Sequence, residues 1–541
     1  FLRDDGRSPM SQHDPNVDRL LTENPVVTRW DWPFVPGAKL RGTRHGAAVD
    51  LDCDVVIVGS GAGGATVAAE LAEGGLDVIV LEEGGNHTTD QFTTEAARMA
   101  RVLYRDGGLS IALGDPPVFF SEGKTLGGST VINGGMTWRT PERVLSVWEK
   151  EHGIPGATAE AMEPFFERVE HFISAHVQDP ETKSPDNELL KEGAEQRNWK
   201  VVENIRNQMH CAGTNNCAFG CPTGAKRSAL VSYLPRARRF GARVFADCRV
   251  DRVLTRRRPG SHVATGVEGI VLAENDRPMH RFRVRAKTVV VAGGAIQTPT
   301  LLLRSKIRSP SKRLGHNLAL HPNIKLSAIF DRDIFGWQGV HQQYQVREFF
   351  DEGFVMAAVN MPPAITAMSL PLYGQALGEL MQDYNKMATC GVLVEDTIRG
   401  RVRLGPTGRP LATYQMCETD RQRFLRGASL LSQLFFAAGA KKVFVPFEHK
   451  PFLESMDEAI ALEEAPITLR SMEVATVHVM GTTAMGADPK RHVCDPWGAV
   501  YGTEGLVVAD ASLFPSPVAV NPMESVMALA TRNAQRLLDM R

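Results

Sequence analysis

Gly59, Gly61 and Gly64, followed by Glu82, have the types and spacing needed to grip a dinucleotide. They lie in DCDVVIVGSGAGGATVAAELAEGGLDVIVLEEGGN, residues 52–86. In a G-x-G-x-x-G turn the first glycine makes the bend and the second lets backbone N–H groups reach a pyrophosphate. The third lets helix and strand pack closely, and the later acid binds ribose hydroxyls. The helix N-terminus adds attraction for the phosphate charge. An acid at that strand end fits a free 2′-hydroxyl and disfavours NADP, leaving NAD and FAD open. A second group is Cys211, Cys217 and Cys221, three of the eight cysteines within eleven residues. Thiols this close suit a metal site, a disulfide, or the filling of a tight turn.

The surrounding pattern supplies elements to position these residues. Residues 55–58 read as a buried strand, 65–73 as a helix, and 78–81 as a second strand ending at Glu82, together a βαβ unit. GKTLGGSTVINGGMTWR, residues 123–139, is a second glycine-rich loop. Residues 286–305 give a strand, Gly293-Gly294 and a helix; residues 506–508 give another strand running to Asp510, with a long helix from about Met523. Residues 325–330, 340–347, 354–360 and 387–394 alternate or run apolar as strands do, and 421–438 reads as a helix. Residues 365–386 read as a loop and an amphipathic helix, either a lid over a pocket or packing.

Composition narrows the classes. A chain of 541 residues is expected to fold as two associated domains. Basic and acidic side chains nearly cancel, 61 against 62, so no field of one sign collects nucleic acid. No apolar run reaches the length of a membrane span. The opening FLRDDGRSPMSQHD carries no basic-then-apolar signal. The expected compartment is the cytoplasm, with peripheral membrane association as the alternative.

Together with HVMGTTAMGAD (residues 478–488) and the Asn521-Pro522 pair, these segments resemble the glucose–methanol–choline family of FAD oxidoreductases in order and spacing. The resemblance implies an α/β fold: a Rossmann-like FAD-binding domain with a parallel sheet, interrupted by a substrate domain with an antiparallel sheet flanked by helices. The expected boundaries are an extension over 1–49, the FAD domain over 50–150, 207–323 and 470–541, and the substrate domain over 151–206 and 324–469. Gly59, Gly61, Gly64 and Glu82 would hold the ADP half of FAD. Gly127, Gly128, Asn133 and Gly134 would line the pyrophosphate and flavin, and Val250 the adenine. Asp510 and Ala511 would meet the ribityl chain, with Asn521 and Pro522 at the ring. No histidine stands in Gly128-Ser129-Thr130-Val131, so non-covalent FAD is favoured.

The same resemblance places His478 as catalytic base and Asn521 as its partner on the substrate oxygen. Imidazole suits proton removal near neutral pH, and flavin accepts the hydride. Asn521 is also a candidate cap for the following helix. The expected reaction is oxidation of an alcohol to a carbonyl, with oxygen or a redox partner as electron acceptor. VHQQYQVREF, ELMQDYNKMATCGVLVEDTIRGRV and Ala437-Ala438-Gly439-Ala440 are similar to long-chain alcohol oxidases, which implies a sizeable apolar alcohol. A sugar or aminoglycoside hydroxyl is the alternative. The cysteine stretch resembles that of bacterial sugar dehydrogenases, where it holds a 3Fe–4S cluster; structural thiols are the competing reading.

Overall fold

The computed structural model describes residues 24–29, 31, 39–41, 48–179, 182 and 184–540. Most of the expected extension lies outside them. The expected βαβ unit is present and longer at its start: strand Ala48–Val58, helix Ala62–Glu73, strand Val78–Leu81. Val55 to Ile57 are buried, as a β-branched run in the centre of a sheet should be. Strand Ala48–Val58 pairs in parallel with Val78–Leu81 on one side and with Pro278–Val291 on the other. Strand Leu506–Val508 joins Pro278–Val291 in parallel, and Arg243–Phe245 joins Val78–Leu81. Strands Cys248–Arg258 and Ser261–Leu272 extend this sheet antiparallel. The helix Met523–Asp539 packs on Ala62–Glu73 and closes one face.

The second sheet centres on Asn323–Ile329, Met387–Val394, Phe354–Ala358 and Tyr344–Val346, all antiparallel. Helix Glu418–Ala437 covers one face, and its Phe424, Leu431 and Phe435 share a buried core with Val392 and Phe354. Four strands from segments expected in the FAD domain join this sheet instead: Ser110–Leu113, Val118–Phe120, His316–Leu318 and Val474–Thr476. Two of their joins are parallel, so the sheet is mixed. The segment 365–386 forms two short helices, Pro363–Ser369 and Gly374–Gln382. The second packs with Leu377 and Leu380 on a small cluster around Leu370, Met387 and Phe444. Among the described residues, no helix is long and apolar enough to cross a membrane.

Candidate functional site

A cavity of about 1720 Å³ runs between the two sheets, well above the roughly 300–1,000 Å³ of ordinary small-molecule pockets. Its nucleotide-like end is built at the tip of strand Ala48–Val58. Gly59 adopts φ +100°, and a Cβ there would come within 2.3 Å of the Ala292 carbonyl oxygen. Only glycine turns the chain here. Gly61 and Gly128 bring the two glycine-rich loops together backbone to backbone; a Cβ on Gly128 would sit 2.8 Å from Gly61 Cα. Gly64 has a packing position, its Cα facing the Gly59 carbonyl, and does not line the cavity. Gly127 also stands back from it, donating its N–H to Ser60 Oγ at 2.9 Å.

Glu82 lines the cavity at the end of strand Val78–Leu81. One carboxylate oxygen accepts from the N–H and hydroxyl of Ser60, at 3.0 and 2.7 Å, and the other from the Gly84 N–H at 2.8 Å. Burial still pushes its carboxyl above the ordinary value. Asp510 is held similarly, accepting from the Gly294 and Ser512 N–H groups and the Thr298 hydroxyl, and burial raises it too. Asn133, Gly134, Val250, Ala511, Asn521 and Pro522 also line the cavity. Pro522 is the N-cap of the helix Met523–Asp539, which has no side-chain cap. Asn521 therefore does not cap that helix, and its amide is free to face His478.

His478 is buried at the cavity wall, on the turn after strand Val474–Thr476. Its Nε2 lies 3.3 Å from Asn521 Nδ2. Its Nδ1 lies 3.4 Å from Nδ1 of His321, a buried ring set edge-on to it. His321 Nε2 accepts the backbone N–H of Ala519 at 3.2 Å. A backbone N–H can only donate, so neutral His321 carries its proton on Nδ1 and aims it at His478. The resting His478 then keeps its own proton on Nε2, and the Asn521 amide meets it with Oδ1, the flipped orientation of the same group. Burial, with the neighbouring His321, pushes His478 down to about 3. His321 has no spacing relation to His478 in sequence, and nothing there singled it out. His492, in the loop after residue 488, is buried against His152, 2.9 Å between ring nitrogens, and does not line the cavity.

The three clustered cysteines stand just behind the cavity and are free thiols. Among the described residues, no group of three or more His, Cys, Asp or Glu side chains is arranged to hold a metal ion, so the iron–sulfur expectation finds no ligand set. Cys217 opens a single turn, Cys217–Phe219, whose Ala218 and Phe219 line the cavity. Its Sγ accepts from Arg206 at 3.6 Å, and Cys221 Sγ accepts from the Lys226 N–H at 3.4 Å. The buried Lys226 ammonium donates to the carbonyls of Val131, Asn133 and Cys217 at 2.7–2.8 Å. That lysine pins the cysteine turn to the second glycine-rich loop.

Residues 100–323 and 396–530 match the two GMC oxidoreductase family models, and residues 54–95 match an FAD-binding domain. The chain belongs to the GMC oxidoreductase family. An uncharacterized GMC-type oxidoreductase of Mycobacterium tuberculosis is 36% identical over 88% of this chain and 74% of its own length. A long-chain-alcohol oxidase of Arabidopsis thaliana is 27% identical over 90% of this chain and 68% of its own. Among solved structures, a formate oxidase of Aspergillus oryzae superposes with a TM-score of 0.68 at 16% identity, covering 92% of this chain and 99% of that one. This GMC chain is thus an FAD oxidoreductase.

The cavity fits the cofactor that a GMC oxidoreductase carries. Helix Ala62–Glu73 begins at Gly61 with no side-chain cap and no acid in its first turn, so its leading N–H groups are open to a phosphate at the cavity wall. Asn133, also at the wall, has a buried side-chain oxygen with no hydrogen-bond partner, a group that a ligand can satisfy.

Proposed function

We propose that this GMC oxidoreductase oxidises a primary or secondary alcohol to a carbonyl, with His478 taking the hydroxyl proton and Asn521 holding the substrate oxygen. The observation that carries the reading is the pair itself: His478 Nε2 and the Asn521 amide, 3.3 Å apart on one cavity wall. Bound FAD supplies the hydride acceptor. Gly59, Gly61 and Glu82 would hold its nucleotide half, Val250 its adenine, Gly128, Asn133 and Gly134 its diphosphate and ring, and Asp510 and Ala511 its ribityl chain. Non-covalent attachment is supported by the lack of a histidine in Gly128–Thr130.

For Nε2 to accept a proton, His478 must first carry its own on Nδ1. His321 must then turn its Nδ1 lone pair toward His478 and give up the Ala519 bond. His321 thereby sets how readily the basic form of His478 is reached. Asn521, with an amide that can donate or accept, serves the substrate oxygen in both proton states.

Val355, Val359, Ile365, Met368 and Leu393 form an apolar stretch of wall that suits a sizeable alcohol body. Similarity to long-chain-alcohol oxidases supports the same reading. The electron acceptor is read as oxygen or a redox partner. Anaerobic bleaching of the bound flavin by a panel of alcohols tests the proposal. His478→Ala is expected to keep its flavin and to slow bleaching by about 10²–10⁴-fold, the scale of a lost general base. Unchanged bleaching would remove His478 from the reaction.

A further inference from the structure

The floor of the cavity is a register row across four strands. Lys325 stands opposite Gly391, Gly391 opposite Ala357, and Ala357 opposite Gln345. All four line the cavity. The strand period puts Asn323 on the same face as Lys325, while Ile324 and Leu326 turn into the core. Gly391 and Ala357 are small, so the row forms a trough with an ammonium at one end and an amide at the other.

Lys325 has no counter-charge. Among the described residues it makes no side-chain hydrogen bond or ion pair. Burial alone lowers it from the ordinary lysine value, with no charged group acting on it. The nearby His341 feels Lys325, Arg206 and Lys226, all of which work with burial to push it down to about 3. Among the described residues, no carboxylate acts on Lys325 or His341, so this end of the cavity is positive. A half-buried cation at a cavity wall with no partner is a site that a ligand of opposite charge completes. Asn323 pairs with Ala475, three residues before His478. Lys325 lies two residues, about 7 Å, further along that strand.

We infer that the substrate alcohol also carries a carboxylate, which Lys325 binds while the hydroxyl meets His478. A single ammonium suits a monoanion; a phosphate dianion would call for more donors. The inference rests on the alcohol-oxidation reading and narrows its substrate to hydroxy acids with an apolar spacer. A cationic aminoglycoside would meet like charge at Lys325.

The test uses the flavin-loaded protein in two arms. In the first, carboxylates of graded chain length without a hydroxyl are titrated, and the flavin absorption change gives Kd. Binding is expected in the wild type and weakened at least tenfold in Lys325→Met, with Lys325→Arg retaining it. His478→Ala should bind as the wild type does, so this arm stands even if the assignment of the base fails. In the second, ω-hydroxy acids are compared with plain alcohols of equal length. The acid-to-alcohol ratio of kcat/KM is expected to exceed ten and to fall toward one in Lys325→Met. Equal Kd in wild type and Lys325→Met, absence of carboxylate binding, or a ratio untouched by Lys325→Met would each overturn the inference.

Discussion

Lowering the pH from 7 to 5 probes the enclosed position of His478. Burial, with His321 beside it, pushes that ring down to about 3. A general base works in its neutral form, and a depressed value preserves that form into acid. At pH 5 a histidine of ordinary value would be about 3% neutral, whereas one near 3 stays about 99% neutral; the rates differ by about 30-fold. Anaerobic stopped-flow measurement of flavin bleaching at limiting alcohol reads kcat/KM against pH. The expected profile changes less than about twofold from pH 7 to 5 on this account. An acid limb with its midpoint between pH 6 and 7 would refute the reasoning. The same shift has a consequence for stability. The folded state refuses a proton that the unfolded chain takes near 6.5, so stability held above that pH is lost as pH falls toward the folded value. For His478 and for the equally buried His341, also near 3, the loss at pH 5 is about 2 kcal/mol each. Circular dichroism at each pH separates unfolding from chemistry.

Three further outcomes follow from the geometry. Nitrogen-15 spectra of the resting protein should place the His478 proton on Nε2; a proton on Nδ1 would mean that Ala519 does not fix His321. Gly128→Ala, at φ +55° and with its Cβ 2.8 Å from Gly61 Cα, should spread the two loops and lower flavin retention at least tenfold, read from the 450 to 280 nm absorbance ratio. Full retention would show that the loops separate freely. Lys226→Met strips three buried carbonyls of their donor, and thermal melting should register a loss of about 2–4 kcal/mol; an unchanged Tm would dismiss the lysine as a pin.

Much of the nucleotide end was legible because it is local. Strands Val78–Leu81 and Leu506–Val508 and the start of the Met523 helix appear where the pattern predicts them. Each is bounded by glycine, proline or an acid, which punctuate the chain sharply. Strand Ala48–Val58 runs seven residues further back than its apolar core suggests, since Asp50, Asp52 and Asp54 interrupt the pattern. Those acids pair with Arg285 and Lys287 on the neighbouring strand, a partnership invisible in local sequence. Residues 340–347 shrink to Tyr344–Val346 because Gln342 takes a positive φ of 56° and bends the run. The strands that crossed into the second sheet are three or four residues long, too short to show a period. His321 and Lys325 were missed because their meaning lies in what faces them: a backbone N–H two hundred positions away, and a trough of small residues on other strands.

The cavity takes its walls from segments far apart in the sequence. The turn at Gly59 stands more than four hundred residues before Asp510, Asn521 and the helix that braces Ala62–Glu73. Strand Leu506–Val508 must slot beside Pro278–Val291 before the sheet is whole. A fragment that holds the phosphate turn at Gly59 but lacks residues 506–539 therefore misses one strand of the sheet and one wall of the cavity, and is expected to retain no flavin.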